Sequence, residues 1–264
     1  MGFTSSTLPV NDQSPNRSDQ SKVEAVRSFF EQPQGYLQGR RFDIRVRAET
    51  VQELVEGTEC GRILDIGCGD GSISLPLLTE KNHITLLDLS TAMTTAARNS
   101  IPERLAGNVD VVNDDFMKAN LKPHSYDLIL CLGVLAHVDS PPEFLARLAS
   151  LLTPGGRVIL EFTDCKHVTG ALTRFYQWLC ALRKPRRYAL NAITFSYVSR
   201  LLPSNHLKQV GCFRYSWPSA PLLLKYMSQD TRYKLIRQIY GNAHRNRRRW
   251  LGNAYICLLK SDAR

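Results

Sequence analysis

From residue 62 onward the chain alternates short, nearly continuous apolar runs with stretches that are apolar on one face only. Runs of the first kind suit strands of a parallel sheet covered on both sides. The pattern predicts strands over Arg62–Ile66, His83–Leu87, Val109–Val112, Tyr126–Leu130 and Arg157–Phe162. Helices are predicted over Ser72–Glu80, Thr91–Asn99 and Pro142–Leu152, with a glycine loop at Gly67–Gly71 and a turn at Pro154-Gly155-Gly156. Two later strands, Gln209–Trp217 and Asn253–Lys260, bracket a helix near Gln229–Tyr240 that ends at Gly241. The alternation implies an α/β fold: a doubly wound, mostly parallel sheet of seven strands.

Ahead of the sheet, a helix is expected from about Asp19 through Val23, Val26, Phe29 and Phe30, stopped by Pro33 and Gly35. Tyr36–Glu56 reads as further helix, apolar at Leu37, Ile44, Val51, Leu54 and Val55 and basic at Arg40, Arg41, Arg45 and Arg47. Asp164 to Ala192 interrupts the alternation as an insertion, followed by a helix over Thr194–Leu202. Residues 1–19, rich in Ser, Thr, Asn, Asp and Pro, read as a flexible tail. Residues 20–264 read as one domain with four parts: an N-terminal helical lid over 20–59, a ligand-binding core over 60–163, a lid insertion and helix over 164–207, and late strands with a basic segment over 208–264.

Composition narrows the class. With 43% hydrophobic residues in 264, there is material for a large core, and no apolar run reaches the ~18–20 residues of a membrane span. The seven cysteines form no C-x-x-C pair, which suggests buried thiols in a reducing compartment rather than a zinc site or disulfide framework. No metal constellation stands out. The first residues lack the charged start and apolar centre of a signal peptide, so a cytoplasmic location is expected. A net charge of +10 points to an anionic partner.

Leu64-Asp65-Ile66-Gly67-Cys68-Gly69-Asp70-Gly71 is the most informative segment. A buried strand delivers an acid and then three glycines spaced G-x-G-x-G, which let backbone approach a ligand closely. The third glycine comes one residue earlier than in the dinucleotide fingerprint. Asp65 and Asp70 would repel a pyrophosphate and suit a ligand carrying an ammonium group. Asp88, at the end of the next strand and followed by Leu89, is placed to hold ribose hydroxyls. Asn113-Asp114-Asp115-Phe116 follows the third strand and could hold an adenine amine and cover its ring.

These residues resemble the class I S-adenosylmethionine-dependent methyltransferases. Leu64–Gly71 is similar to that family's first motif, Leu87-Asp88-Leu89-Ser90 with Met93 to the second and Asp114 to the third. Tyr126–Leu130 with Val134-Leu135-Ala136-His137-Val138 is similar to the fourth, and Leu152-Thr153-Pro154-Gly155-Gly156 to the loop before the fifth strand. The resemblance spans roughly residues 60–163 and implies S-adenosyl-L-methionine as cofactor, on a Rossmann-like sheet with a helical lid inserted after the fifth strand. It implies that Gly67 and Gly69 pack against the methionine part, that Asp88 binds the ribose and Asp114 the adenine, and that main chain near Leu132 lines the pocket, with Asp65, Cys68, Leu89, Asp115 and Phe116 as further cofactor-binding candidates. It also implies an arginine for the cofactor carboxylate, for which Arg40, Arg41 and Arg45 are candidates.

The acceptor is less legible. His137 and Glu161 are candidate catalytic groups, each with a structural alternative as a loop residue and a strand-end carboxylate. Arginines cluster at 40–47, 183–187 and 245–249, and their planar forks suit phosphate. With nearby aromatics, Tyr36, Arg45, Arg186, Tyr197, Trp217, Arg245 and Arg247 become a candidate substrate set. That layout resembles the bacterial isopentenyl or prenyl diphosphate C-methyltransferases and implies a small phosphate-bearing acceptor. The competing readings are an O- or N-methyltransferase of a neutral natural product and an RNA methyltransferase. Against RNA, Cys131-Leu132-Gly133-Val134 stands where an Asn-Pro-Pro-Tyr base-methylation motif would lie.

Overall fold

The computed structural model describes residues 17–31, 37, 39–168, 190–216 and 227–262. Seven strands form one sheet in the order β3-β2-β1-β4-β5-β7-β6. They are β1 (Arg62–Ile66), β2 (His83–Asp88), β3 (Val109–Asn113), β4 (Tyr126–Cys131), β5 (Leu152–Thr163), β6 (Leu207–Tyr215) and β7 (Ala254–Ser261). β1 through β5 pair in parallel, and β7 runs antiparallel between β5 and β6.

The helices are α1 (Arg17–Phe30), α2 (Arg41–Val55), α3 (Thr91–Ser100), α4 (Pro141–Ser150), α5 (Phe195–Leu201) and α6 (Gln229–Tyr240). They cover both faces of the sheet, as the apolar strands require. Phe144, Leu145 and Leu148 of α4 and Val198 of α5 pack with Leu64, Ile66, Ile129 and Leu160. On the other face, Val46 and Val51 of α2, Ala97 of α3 and Ile236 of α6 pack with Ile63, Leu128, Ile159 and Phe213. Neighbouring strand residues point to opposite faces, so β1 supplies Ile63 to one core and Leu64 to the other.

Three sequence expectations change. The helix expected over Ser72–Glu80 is only a 3-10 turn, Leu75–Leu77. Pro76 disfavours helical geometry at Leu75, and Asn82 closes the segment by accepting from Thr79 N–H at 2.8 Å. The turn expected at Pro154-Gly155-Gly156 lies within β5, where Tyr126 pairs with Leu152 but Leu128 with Arg157. The glycines bulge out of the ladder there, which accommodates a proline. The helix expected over Tyr36–Glu56 runs regularly over Arg41–Val55, with Leu37 and Gly39 helical ahead of it and Tyr36 outside the described residues. Residues 17–19, expected in the tail, open α1, while 1–16 lie outside the described residues, as do 169–189 of the expected lid. Among the described residues no helix is long and apolar enough to cross a membrane.

Candidate cofactor crevice and active site

β1 continues into β2 on one side and pairs with β4 on the other, so the strand order reverses there. Open α/β sheets leave a crevice beyond the carboxyl ends of the strands at such a point. Here it has a volume of about 620 Å³, within the size range of small-molecule sites. Its floor is the glycine loop. Gly67 N–H and Cys68 N–H both donate to Leu87 O, at 2.8 and 3.1 Å, which folds the loop over the end of β2. Gly67 has φ of +70°, and a Cβ there would stand 2.5 Å from Val134 Cγ2. Gly69 has φ of +56° and open space where its Cβ would be.

Asp88 organises the neighbouring wall. Its Oδ2 accepts from Gly69 N–H and its Oδ1 from Ser90 N–H, each at 2.9 Å. Burial raises its pKa, and these backbone donors offset only part of the rise. Asp65 sits behind the loop, 3% exposed, with Oδ2 lacking a hydrogen-bond partner. Burial pushes its carboxyl up to about 7, with Asp88 and Asp70 adding to the rise and Ser74 opposing it. A buried carboxyl in that condition gains from a cationic neighbour.

The loop after β3 is held from below. Arg147 Nε donates to Phe116 O at 2.7 Å and its Nη2 to Ala119 O. Asp115 Oδ1 accepts from Met117 N–H at 2.9 Å, and Asp114 Oδ1 from Asp115 N–H at 2.7 Å. Phe116 packs on Phe144 at 4.8 Å between ring centroids. Asp114, Asp115, Phe116, Leu89 and Leu132 all line the crevice; Asp65 and Cys68 lie behind it. The Cys68 thiol is pushed well up by burial.

α1 forms the roof. Val23, Val26 and Phe30 face the crevice at near-helical spacing. Phe30 meets the His137 ring edge-on at 6.0 Å, and its carbonyl accepts from Ser90 Oγ at 3.1 Å. His137 therefore lies in the wall, held by the roof.

Glu161 does not line the crevice. It is 3% exposed and belongs to a buried ionic network beneath α2. Its Oε1 accepts from Arg47 Nε at 3.0 Å, and the Tyr215 hydroxyl donates to Glu161 at 3.4 Å and to Asp43 at 2.6 Å. Burial raises the Glu161 pKa against the pull of Arg47. Asp43 is also opposed by burial, but Arg47, Tyr215 and Arg40 bring it below the ordinary value. One firm carboxylate thus balances Arg47, and Glu161 is the weaker acid.

Comparison with known families fits this geometry. Residues 64–158 match the model of the methyltransferase domain family. Those residues are therefore similar to a methyltransferase domain. The chain is 29% identical over 166 residues to a ubiquinone biosynthesis O-methyltransferase of Xanthomonas euvesicatoria, covering 62% of this chain and 61% of that protein. It thus spans less than two thirds of that relative's length. An S-adenosylmethionine-dependent methyltransferase of Thermotoga maritima superposes with a TM-score of 0.64 at 16% identity, over 92% of this chain and all of the other. The magnesium protoporphyrin IX methyltransferase of Synechocystis, solved with S-adenosylhomocysteine, gives 0.61 at 20%, over 91% and 99%.

Around the crevice, the expected substrate residues do not converge. Arg45 pairs with Glu49 at 3.0 Å and Asp230 at 3.4 Å and lies over the Tyr233 ring, joining α2 to α6. Arg40 is half-exposed, pairs with Asp43 and is not in the crevice wall. Arg245 and Arg247 are exposed between α6 and β7, outside the crevice. Tyr197 packs on the core from α5. Tyr36, Arg186 and Trp217 lie outside the described residues. Sequence reasoning passed over Arg47, whose guanidinium would meet a Cβ on the crevice residue Gly133 at 3.7 Å. The N-terminal helix was expected as a lid, but no residue of its apolar stripe was named for the site; Val23, Val26 and Phe30 line the crevice.

Proposed function

We propose that this chain methylates a hydroxyl oxygen of a small, largely apolar acceptor, with S-adenosylmethionine in the crevice. The observation that carries the reading is His137, an imidazole in the crevice wall among Phe30, Val134 and Val138. The donor fits the residues present: Gly69 leaves room for a close-lying ligand, Asp88 and Asp114 offer carboxylates, and Asp65 leaves a buried oxygen unsatisfied. When bound, the cofactor supplies an electrophilic methyl on a sulfonium. The glycine loop, with Asp88 and Asp114, fixes its position, and the α1 roof excludes water. His137 takes the proton from the acceptor hydroxyl as that oxygen becomes nucleophilic.

Charge disfavours the diphosphate alternative. Six acids line the crevice (Glu24, Asp88, Asp114, Asp115, Asp139 and Glu143) against two permanent cations, Arg27 and Lys118. Such a wall suits a cationic cofactor and repels a diphosphate or RNA backbone. The O-methyltransferase relative supports oxygen as acceptor atom, and none of the comparisons supports a prenyl diphosphate C-methyltransferase. The test is turnover of S-adenosylmethionine with phenols, catechols, amines and isopentenyl diphosphate, read by mass spectrometry. A methyl ether of a hydroxylated aromatic is expected. Methylation of the diphosphate at carbon, or of amines alone, would overturn the reading.

A further inference from the structure

The C-terminal strands carry a feature the methyl-transfer site does not use. Cys212 on β6 and Cys257 on β7 stand directly opposite each other in the antiparallel ladder. Their sulfurs are 3.2 Å apart, and both are free thiols. Opposed residues of an antiparallel pair have Cα atoms ~4.5–5.5 Å apart, inside the range a disulfide spans. Cys212 is half-buried at the outer edge of the sheet and Cys257 is buried behind it. We propose that Cys212 and Cys257 are an oxidisable dithiol that closes to an intramolecular disulfide under hydroperoxide.

The roles follow from the surroundings. The hydrogen bond from Cys257 lowers the pKa of Cys212, and the Arg214 and Arg249 guanidiniums add to the effect against burial. Cys257 is raised by the same hydrogen bond and by burial. Cys212 is therefore the attacking sulfur and Cys257 the resolving one. The Cys212 thiolate attacks one peroxide oxygen, the O–O bond breaks, and the sulfur becomes a sulfenic acid while the other oxygen leaves as water (or alcohol). The Cys257 sulfur then attacks the sulfenic sulfur. An S–S bond forms, the S–O bond breaks, and hydroxide leaves with the Cys257 proton as a second water. Two thiols are oxidised and one peroxide is reduced.

The bridge would join positions 45 residues apart, tying the two strands that enclose α6 and the basic segment. The test uses the reduced full chain, a small excess of hydrogen peroxide, alkylation and peptide mapping. A Cys212–Cys257 linked peptide, a loss of 2 Da removed by dithiothreitol, and a melting midpoint raised by roughly 5 °C or more are expected. Cys212→Ser should abolish the link, and Cys257→Ser should leave Cys212 as a sulfenic acid trapped by dimedone. If both thiols in the wild-type chain are still fully alkylated after peroxide, or if Cys212 couples to another chain, the proposal fails. The wild-type map decides even if a variant does not fold.

Discussion

The crevice and the arginine-rich surface are oppositely charged, although the chain as a whole carries +10. Six carboxylates face the cofactor space, while Arg45 is consumed in the α2–α6 contact and Arg245 and Arg247 stand in solvent beyond α6. A global charge excess therefore describes the outside of this molecule and misdescribes its site. What selects a ligand is the sign of the charge lining the concave surface, and here that sign favours a sulfonium and an ammonium. The arginines expected to hold substrate or cofactor serve, where described, as struts or surface, whereas Arg27 lines the crevice and Arg47 stands behind its Gly133 wall.

The sharpest break between the two regions comes from paired substitutions. Asp88→Ala removes the acceptor for two backbone N–H groups and the expected ribose partner, so S-adenosylmethionine affinity should fall by about 100-fold or more. Arg245→Ala with Arg247→Ala should leave it within about twofold in the same calorimetric titration. Equal losses in both would erase the distinction. His137→Gln should lower kcat by about 100-fold with cofactor affinity kept, the range for a lost general base. Glu161→Gln should instead appear as a lower melting midpoint, with the kcat loss much smaller. A kcat loss at Glu161 matching that at His137 would return Glu161 to the chemistry.

The pH dependence is a finer test. With its folded pKa at about 7, Asp65 is mostly neutral at pH 6 and ionised at pH 8. A cationic ligand binds the ionised form, so cofactor affinity should rise by about tenfold between those pH values and flatten in Asp65→Asn. The stability of the cofactor-free protein should run the other way. A carboxyl whose folded pKa is raised stabilises fully below its unfolded value of 3.8, and that contribution is lost as pH rises through about 7. Thermal melts of the cofactor-free protein from pH 4 to 8 would show the decline. A flat profile would remove Asp65 from the account.

The glycine loop was legible because its requirement is local. Gly67 needs positive φ and no Cβ, and what imposes this is Leu87 on β2 and Val134 in the loop just after β4, next to strands whose pattern is plain. The sheet was legible for the same reason, strand by strand. Partners far apart in sequence were not. Arg47 reaches Glu161 across 114 positions and Arg237 reaches Glu49 across 188, so the basic stretch of α2 gave no sign of which arginine is buried. The Ser72–Glu80 helix failed because its apolar spacing outweighed one proline that local geometry could not absorb.

The most direct test of the central claim is a calorimetric titration of S-adenosylmethionine into the wild-type chain and Asp88→Ala at pH 8. Saturable one-site binding by the wild type that is lost in the variant is predicted. No binding by the wild type, or equal binding by both, would contradict it.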